Sequence, residues 1–304
     1  MRVLVLGGYG IVGSRLVSQL ICRNHNVTVI DLKDRKKNDC FNYLKIDIKK
    51  IYIAKEYFKN EKYDVIYDFC CTSPEMIRAC INFFSGKVKH YILCSTVSVY
   101  DFNKLRILPI VEEEEVKNFY CCEYGAKRAE CEYILENSGI KYTILRPCYI
   151  YGVGYHNDRI EYLIDSILSK QYLAMSNNLE ITFQLLNVED LIAALLKAAF
   201  LPNAQNKIFN VCPDECITLE RLIALISSFE DIKVKVTTSS NAPYIPKLYN
   251  QSLIFSNIKI KELLEWKPMI DLCSGIKKLY EHRKNEKYNF SESQWMRFQP
   301  KLDN

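Results

Sequence analysis

A cluster of glycines near the amino terminus constrains this chain more than any other sequence feature. Gly7, Gly8, Gly10 and Gly13 are four of only ten glycines among 304 residues. They follow the apolar run 2–6, which has the character of a buried strand, and they precede apolar residues at three-to-four spacing, which is typical of a helix. Because glycine tolerates tight turns and close backbone contacts, the pattern predicts a strand, a tight turn and a helix.

The first half of the chain continues this alternation of strands and helices. Alternation of this kind predicts a parallel sheet with helices on both faces, since parallel neighbours need crossover connections. After Pro147 the alternation becomes less regular. The predicted strands are Arg2–Leu6, Asn26–Ile30, Asp64–Phe69, Val88–Cys94, Lys141–Leu145 and Lys207–Val211, and the later predicted helices are Ile160–Leu168, Val188–Phe200, Leu219–Phe229, Ile258–Leu264 and Leu272–Arg283.

The glycine turn has the composition of a dinucleotide-binding site. In such a site one glycine permits the turn, another lets the backbone approach the pyrophosphate, and a third permits close packing of strand and helix. The next strand leads to Asp31, about twenty residues on, where a carboxylate can hold the ribose hydroxyls of the adenosine. Asp31 favours NAD over NADP, but four basic residues that follow leave NADP open: Lys33, Arg35, Lys36 and Lys37.

The predicted fold class is α/β, a Rossmann-type doubly wound parallel sheet with a smaller, discontinuous C-terminal substrate lobe. Residues 1–150 would form the NAD(P)-binding domain, with a returning segment at about 181–215. Residues 151–284 would form the smaller substrate-binding lobe of mixed α/β structure, and residues 285–304 a C-terminal tail.

Composition and charge disfavour several other classes of protein. The net charge is only +5 and the basic residues are scattered, so no nucleic-acid partner is expected. No run approaches the roughly 18–20 apolar residues of a membrane span, and no signal peptide is recognisable, which predicts a cytoplasmic protein without a membrane partner. The thirteen cysteines include no Cys-x-x-Cys and are interpreted as reduced core thiols, so no metal site is predicted.

A second group of candidate residues follows the fourth predicted strand. Ser95 and Thr96 lie at its carboxyl end, where doubly wound folds bind ligands. Further along, a helical stretch places Lys127 and Arg128 on the same face as Tyr124, three and four residues later. A cation near a phenol lowers its pKa from about 10 toward neutrality, which would make Tyr124 a proton donor or acceptor. The alternative is a surface basic pair beside a half-buried tyrosine.

Taken together, these features resemble the extended short-chain dehydrogenase/reductase superfamily, and within it the NAD-dependent epimerase/dehydratase family. The resemblance covers nearly the whole chain, because many short motifs occur in the order and spacing of that family. They are the glycine turn, Asp31, Asp47-Ile48, Ser95-Thr96-x-x-Val99-Tyr100, the Tyr124 helix, Leu145-Arg146-Pro147-x-x-x-Tyr151-Gly152, Asn187-Val188-Glu189-Asp190-Leu191, Asn210-Val211 with Thr218-Leu219, and Leu264-Glu265-Trp266-Lys267-Pro268.

The resemblance implies an NAD-dependent epimerase or oxidoreductase that acts on a sugar, most simply a nucleotide sugar, by transient hydride transfer to the nicotinamide. It implies Tyr124 as acid/base, Thr96 as the residue that orients the reacting oxygen, and Arg128, with Lys127, as the electrostatic partner of the phenol. A homodimer is expected, as in relatives. The implied cofactor-binding residues are Gly7, Gly10, Ile11, Val12, Gly13, Asp31, Asp47, Ile48, Phe69, Cys70, Ser95 and Cys148.

Some positions depart from the family pattern. Arg128 stands where the family's Tyr-x-x-x-Lys has lysine, so either Arg128 serves with altered geometry, Lys127 turns in, or oxidoreduction is impaired. The segment 67–71, Tyr-Asp-Phe-Cys-Cys, replaces the common His-Leu-Ala-Ala run. Val97 and Ser98, after Thr96, offer no carboxylate, which disfavours dehydration.

The arginine that usually clamps the diphosphate of a nucleotide sugar is also missing. Phe183 and Gln184 occupy its stretch, unless Arg159, Lys247 or Arg221 substitutes for it. The departures keep a second hypothesis open, an atypical NAD(P)-binding regulatory or scaffold protein with reduced or no oxidoreductase activity. RNA binding is a minor third hypothesis, because the sequence alone reveals no basic aromatic surface.

Overall fold

A computed structural model describes residues 1–33, 40–102, 107–116, 123–154, 160–169, 173–175, 179–234, 236–238 and 251–289. The chain divides into two compact units. The first unit comprises Met1–Ile150, Gln184–Asp214 and Ile254–Met269, and the second comprises Tyr151–Phe183, Glu215–Leu253 and Ile270–Asn304.

Each unit draws its strands and helices from separate stretches of the chain. The strands are β1 (Arg2–Leu6), β2 (Asn26–Asp31), β3 (Asn42–Lys45), β4 (Tyr63–Asp68), β5 (Val88–Cys94), β6 (Tyr142–Pro147), β7 (Tyr149–Tyr151), β8 (Leu173–Met175), β9 (Thr182–Phe183), β10 (Leu185–Asn187), β11 (Lys207–Val211), β12 (Ile217–Thr218) and β13 (Val236–Thr238). The helices are α1 (Ile11–Cys22), α2 (Pro74–Phe84), α3 (Glu123–Glu136), α4 (Ile160–Leu168), α5 (Val188–Phe200), α6 (Leu219–Ser228), α7 (Ile258–Leu264) and α8 (Leu272–Asn289), with short 3-10 turns at Ile48–Ala54, Val97–Val99 and Pro202–Ala204.

The first unit is built on a seven-stranded sheet in the order β11-β6-β5-β4-β1-β2-β3. All six strand pairings in this sheet are parallel. The chain runs outward from β1 to β3, returns to β4 on the other side of β1, and then runs outward again. This is the doubly wound order of a Rossmann-type fold, which confirms the predicted fold class.

Burial on both faces explains why the central strands are continuous apolar runs. Val3, Leu4, Val5 and Leu6 of β1 are all fully buried, as expected for a parallel strand covered by helices on each side. Helix α1 turns its own buried stripe inward, formed by Gly13, Leu16, Val17 and Leu20. The alternation of strands and helices therefore yields two apolar layers, one on each face of the sheet.

The second unit contains α4, α6 and α8 and two short strand pairs. Strand β9 pairs with β12 in antiparallel fashion, and β8 pairs with β13 in parallel fashion. Arg283 of α8 is held to Asp165 of α4, with Nε 3.2 Å from Oδ1. A Cβ on Gly275 would lie 2.1 Å from Oη of Tyr151, so only glycine at this position lets α8 approach that side chain this closely.

Most predicted elements lie within a residue or two of the observed ones. The main difference at the C-terminus is α8, which continues to Asn289 instead of ending at Arg283. The rest of the predicted tail, 290–304, lies outside the described residues. Among the described residues, no helix combines the length and the apolar character needed to cross a bilayer.

Candidate functional site

The sheet reverses its strand order between β1 and β4, and the carboxyl ends of these strands lie level with each other. Leu6 at the end of β1 is in register with Ile30 on one side and Asp68 on the other. The turn segments continue this alignment, because Gly7 N donates to Ile30 O at 2.8 Å and Phe69 N donates to Leu6 O at 3.0 Å. Open α/β sheets bind ligands at such a reversal point.

The glycine turn lies at this reversal point and needs its glycines for different physical reasons. Gly7 has φ of +80°, a backbone conformation that glycine adopts at little cost. A Cβ on Gly13 would lie 2.3 Å from Gly7 O, so the strand and α1 can approach this closely only with glycine. A Cβ on Gly10 would meet only Gly7 O within 4 Å among the described residues, at 3.3 Å, so this position faces open space.

The amino terminus of α1 fits an anionic group. Gly10 caps the helix without a side chain, and the first turn of this described helix carries no acidic residue. The first helical hydrogen bond runs from Ser14 N to Gly10 O at 2.8 Å. The N–H groups of Ile11 and Val12, at the positive end of the helix dipole, are thus directed toward the open space beside Gly10. These features fit the pyrophosphate of a dinucleotide.

Asp31 lies at the end of β2, beside the glycine turn. Its Oδ2 accepts a hydrogen bond from Tyr9 N at 2.9 Å, and its Oδ1 accepts from Leu32 N at 2.7 Å and Lys33 N at 3.1 Å. A carboxylate oxygen has two lone pairs, so Oδ2 keeps one for a ribose hydroxyl. Arg35, Lys36 and Lys37, which bear on the choice between NAD and NADP, lie outside the described residues.

Asp47 and Ile48 follow the neighbouring strand β3 at the same edge of the sheet, where Asp31 is in register with Lys45. Asp47 caps the 3-10 turn that begins at Ile48, accepting from Lys49 N at 3.0 Å, and Ile48 is buried. The structure therefore places Asp47 and Ile48, both predicted cofactor-binding residues, on the same side of the glycine turn as Asp31.

The segment after β4 is held by a buried carboxylate that the sequence reasoning did not assign to the site. Asp68 is fully buried. Its Oδ1 accepts from Cys70 N and Cys71 N, both at 2.9 Å, and its Oδ2 accepts from Tyr91 Oη at 2.6 Å. Phe69 and Cys70 pack on the glycine turn, because a Cβ on Gly7 would lie 3.4 and 3.3 Å from their Cβ atoms.

Asp68, Cys70 and Cys71 also bring potential metal ligands within 4.8 Å of one another. Both oxygens of Asp68 already accept hydrogen bonds. The hydrogen bond with Cys71 and burial raise the pKa of Cys70 well above its usual value, and burial raises the pKa of Cys71. Protonated thiols are poor ligands, so this cluster gives no support for a metal site.

Thr96 follows β5 and caps the short turn Val97–Val99. Its Oγ1 accepts from Ser98 N at 3.1 Å and donates to Ser98 Oγ at 3.3 Å. The adjacent Ser95 is buried, and its hydroxyl donates to a carboxylate oxygen of Glu132. Ser95 is thus committed to the protein interior, whereas Thr96 makes one long hydroxyl contact that a ligand oxygen can replace.

Tyr124 and Arg128 of α3 have opposite environments. The Tyr124 side chain is 52% exposed, while Arg128 is 2% exposed. The guanidinium donates from Nη1 to Cys71 O at 2.6 Å and from Nη2 to Cys94 O. Burial lowers the pKa of Arg128, but the opposing influence of Tyr124 and Asp68 leaves it above its usual value. Arg128 is therefore a fixed cation close to the phenol, and Lys127 is instead an exposed residue paired with Glu123.

Glu132 lies two turns after Tyr124 on α3 and anchors the helix to the sheet. Its carboxylate receives Nη2 and Nε of Arg146 at 2.6 and 3.1 Å, and both side chains are buried. Arg146 Nη1 also donates to Tyr100 Oη at 3.0 Å. Cys148, just beyond Arg146, is buried and donates its N–H to Val211 O at 3.1 Å. This network fixes the rotation of α3, and with it the position of Tyr124.

Gln184, which stands in the stretch of the family's usual diphosphate arginine, has a structural role. Its Nε2 donates to Pro213 O at 2.7 Å, and its Oε1 accepts from Phe255 N at 2.8 Å. Of the possible substitutes, Arg159 and Lys247 lie outside the described residues, and Arg221 lies in the first turn of α6.

The fold and the glycine turn together define a dinucleotide-binding protein of the Rossmann class, in which α3 carries an exposed tyrosine four residues before a buried arginine. The chain belongs to the NAD-dependent epimerase/dehydratase family, whose model matches residues 3–79 and 73–212.

Known proteins similar to this chain fall into two groups. The chain is 26% identical over 301 residues to the chloroplast stem-loop binding protein of 41 kDa b from Arabidopsis thaliana, covering 92% of this chain and 78% of that protein. It is 24% identical over 315 residues to the UDP-glucose 4-epimerase of Lactobacillus helveticus, covering 88% and 92%. Its fold is similar to a UDP-glucuronic acid 4-epimerase from Bacillus cereus solved with UDP-glucuronic acid and NAD, with a TM-score of 0.77, 20% identity, and 94% and 100% coverage.

Sequence reasoning missed Asp68, Ser98, Glu132 and Arg146 as parts of the site. A weak signal was present for Asp68, since a charged residue at the end of an apolar strand needs a partner. Glu132 and Arg146 follow the family spacing, but their mutual contact depends on how α3 packs on β6, which spacing alone does not show.

Proposed function

We propose that this protein is an NAD-dependent epimerase that acts on a nucleotide sugar. The observation that carries the proposal is the position of Tyr124, an accessible phenol four residues before the buried Arg128 on α3. The membership of the family and the similarity to two named 4-epimerases support it.

In the proposed reaction the residues of this chain bind, orient and move a proton. The glycine turn and the start of α1 would hold the pyrophosphate, and Asp31 would hold the adenosine ribose. Bound NAD supplies a hydride acceptor for the sugar carbon that carries the reacting hydroxyl, and then a hydride donor to the opposite face of that carbon. Tyr124 would take the proton of this hydroxyl and return it when the ketone is reduced, and Thr96 would hydrogen-bond the same oxygen in place of Ser98. Arg128 would lie behind Tyr124 on α3 as a fixed buried cation.

The proposal is tested with Tyr124→Phe, which removes the proton acceptor and keeps the ring. Loss of the general base should lower turnover of the nucleotide sugar by roughly 10²–10⁴-fold, while the dissociation constant of NAD, measured by isothermal titration calorimetry, stays within about twofold because Tyr124 is mostly exposed. Tyr133→Phe is the matched control, since Tyr133 lies on the same helix and is 68% exposed. Unchanged turnover in Tyr124→Phe contradicts the mechanism.

A second candidate function is RNA binding without oxidoreductase activity, and a surface of the structure favours it. The segment 49–62 exposes two tyrosines and an isoleucine, Tyr52 at 66%, Ile53 at 64% and Tyr57 at 43%. Exposed lysines surround them at positions 49, 50, 55, 59 and 62. Aromatic rings that stack bases, set among cations that meet phosphates, are typical of single-strand recognition. The similar protein from Arabidopsis thaliana is named for binding a stem-loop.

A further inference from the structure

Two of the departures from the family pattern meet in space. Asp68 replaces the histidine of the usual run at the end of β4, and Arg128 replaces the usual lysine of α3. The two positions are 60 residues apart in the chain, yet both act on the backbone of the same residue, Cys71. Asp68 Oδ1 accepts from the N–H groups of Cys70 and Cys71, and Arg128 Nη1 donates to the carbonyl of Cys71.

Each charge is costly to bury without the other. Asp68 is 0% exposed and Arg128 is 2% exposed. Nε of Arg128 is also buried and has no hydrogen-bond partner among the described residues. Asp68 and Arg128 attract each other electrostatically within this buried region, so removing one charge leaves the other without that compensation, whereas removing both does not.

The choice of arginine follows from the geometry. The guanidinium spans two backbone carbonyls, Cys71 O after β4 and Cys94 O at the end of β5. A lysine is a single compact ammonium and does not present two donors in a fixed fork. The Arg128 side chain therefore links the segment after β4 to the end of the neighbouring strand β5.

The tied segment borders the nucleotide region. Phe69 and Cys70 pack against Gly7 of the glycine turn, and Tyr124 lies four residues before Arg128 on α3. We propose that Asp68 and Arg128 form one buried clamp on the backbone of Cys70 and Cys71, which positions both the border of the nucleotide site and, through α3, Tyr124. Asp68 and Arg128 are positioning residues, and each holds the same backbone segment. The statement about Tyr124 rests on the proposed function; the clamp itself does not.

The clamp is tested by a double-mutant cycle on the full chain with Asp68→Asn, Arg128→Met and the double variant. The first readout is the rate at which iodoacetamide labels Cys70 and Cys71, followed by peptide mass mapping. The second is the dissociation constant of NAD by calorimetry. Each single variant leaves one buried charge unpaired, so we expect labelling of these thiols to rise and NAD binding to weaken by about tenfold or more. The double variant leaves none, so its labelling rate should not exceed that of either single variant.

Two further variants make the result decisive. Arg128→Lys keeps the charge without the fork and should show increased labelling of Cys71. If Arg128→Met does not fold, Arg128→Gln, which also removes the charge, replaces it in the cycle. Arg78→Met is the matched control. Arg78 of α2 forms an exposed salt bridge with Glu130 of α3, with Nη2 3.3 Å from Oε1. The clamp is rejected if the labelling rate of the double variant shows the product of the two single effects. It is also rejected if Arg128→Lys is labelled at the wild-type rate.

Neither readout uses a sugar, so the two proposals fail separately. If the effects of the two substitutions are coupled but the protein does not turn over the sugar, the clamp is retained and the epimerase is rejected. If the two effects multiply in a protein that does turn over the sugar, only the clamp is rejected.

Discussion

His90 of β5 is a buried imidazole that the fold keeps neutral. Its Nε2 lies 2.8 Å from Oγ1 of Thr143, which in turn donates to Ala204 O at 2.7 Å. Because the threonine hydrogen is already used, Nε2 must be the donor. Burial lowers the pKa of His90 from 6.5 to about 4. Between these two values the unfolded chain binds a proton that the folded protein does not.

The free energy of unfolding should therefore rise with pH across this window. The contribution of His90 is fully present above pH 6.5 and is lost as the pH falls toward 4, with about 2 kcal/mol lost between pH 7 and pH 5. His90→Gln keeps a neutral donor for Thr143 and should remove this part of the pH dependence in urea unfolding curves. His282→Gln, on the surface of α8, is the control and should leave it intact. Equal pH dependence in wild type and His90→Gln contradicts the assignment.

At the level of residues, the site was predictable where one residue type serves one local need. Gly7 and Gly13 are required by the turn itself, and Asp31 by its place at the end of a strand, so spacing was enough to find them. The roles of Asp68 and Arg128 were not predictable, because their partners are backbone atoms of segments distant in sequence. The sequence left open whether Arg128 or Lys127 lies inside, and the packing of α3 buries Arg128.

At the level of elements, periodicity predicted nearly all of the first unit. Strands such as β1 are continuous apolar runs and α1 has an apolar stripe, so each element carried its own signal. The positions of β7 and of the short pairs β8–β13 and β9–β12 had no such signal, since two or three residues cannot show a period. The partners of β8 and β9, which are β13 and β12, lie far along the chain.

The contact between β1 and α1 gives a prediction that separates folding from nucleotide binding. Gly13→Ala would place a Cβ 2.3 Å from Gly7 O and 2.9 Å from Gly8 Cα. Backbone must shift to relieve this overlap, so we expect a loss of about 1–3 kcal/mol in the free energy of unfolding by urea, together with weaker NAD binding.

Gly10→Ala is the matched variant of the same turn. Its Cβ would meet only Gly7 O among the described residues, at 3.3 Å, and would otherwise extend toward open space. We expect a stability loss below about 1 kcal/mol but at least about tenfold weaker NAD binding in calorimetry, because the methyl group would occupy the region of the pyrophosphate. Wild-type NAD affinity in Gly10→Ala would show that the dinucleotide lies elsewhere.

At the scale of the whole molecule, the distribution of charge bears on the choice between the two candidate functions. The net charge of +5 is small, but the segment 49–62 carries five lysines and two glutamates, a local excess of three positive charges. Lys59 lies 3.9 Å from Glu56, an exposed pair of little energetic weight. Sequence reasoning expected no nucleic-acid partner because these residues show no regular pattern along the chain. Their common exposure is a result of the turn that begins at Ile48.

If this surface binds single-stranded RNA, affinity should fall steeply with salt, since each lysine that meets a phosphate releases counterions. Lys49→Ala combined with Lys50→Ala should then reduce the slope of log K against log salt by about 1.4, at about 0.7 for each contact, measured by fluorescence anisotropy with a labelled single-stranded RNA. The matched control is Lys277→Ala with Lys278→Ala, an exposed adjacent pair on α8 of the second unit. Equal slopes for the two double variants, or no binding by the wild type at about 50 mM salt, leave the epimerase as the function to pursue, whereas a selective loss together with inactive sugar assays favours the RNA-binding protein.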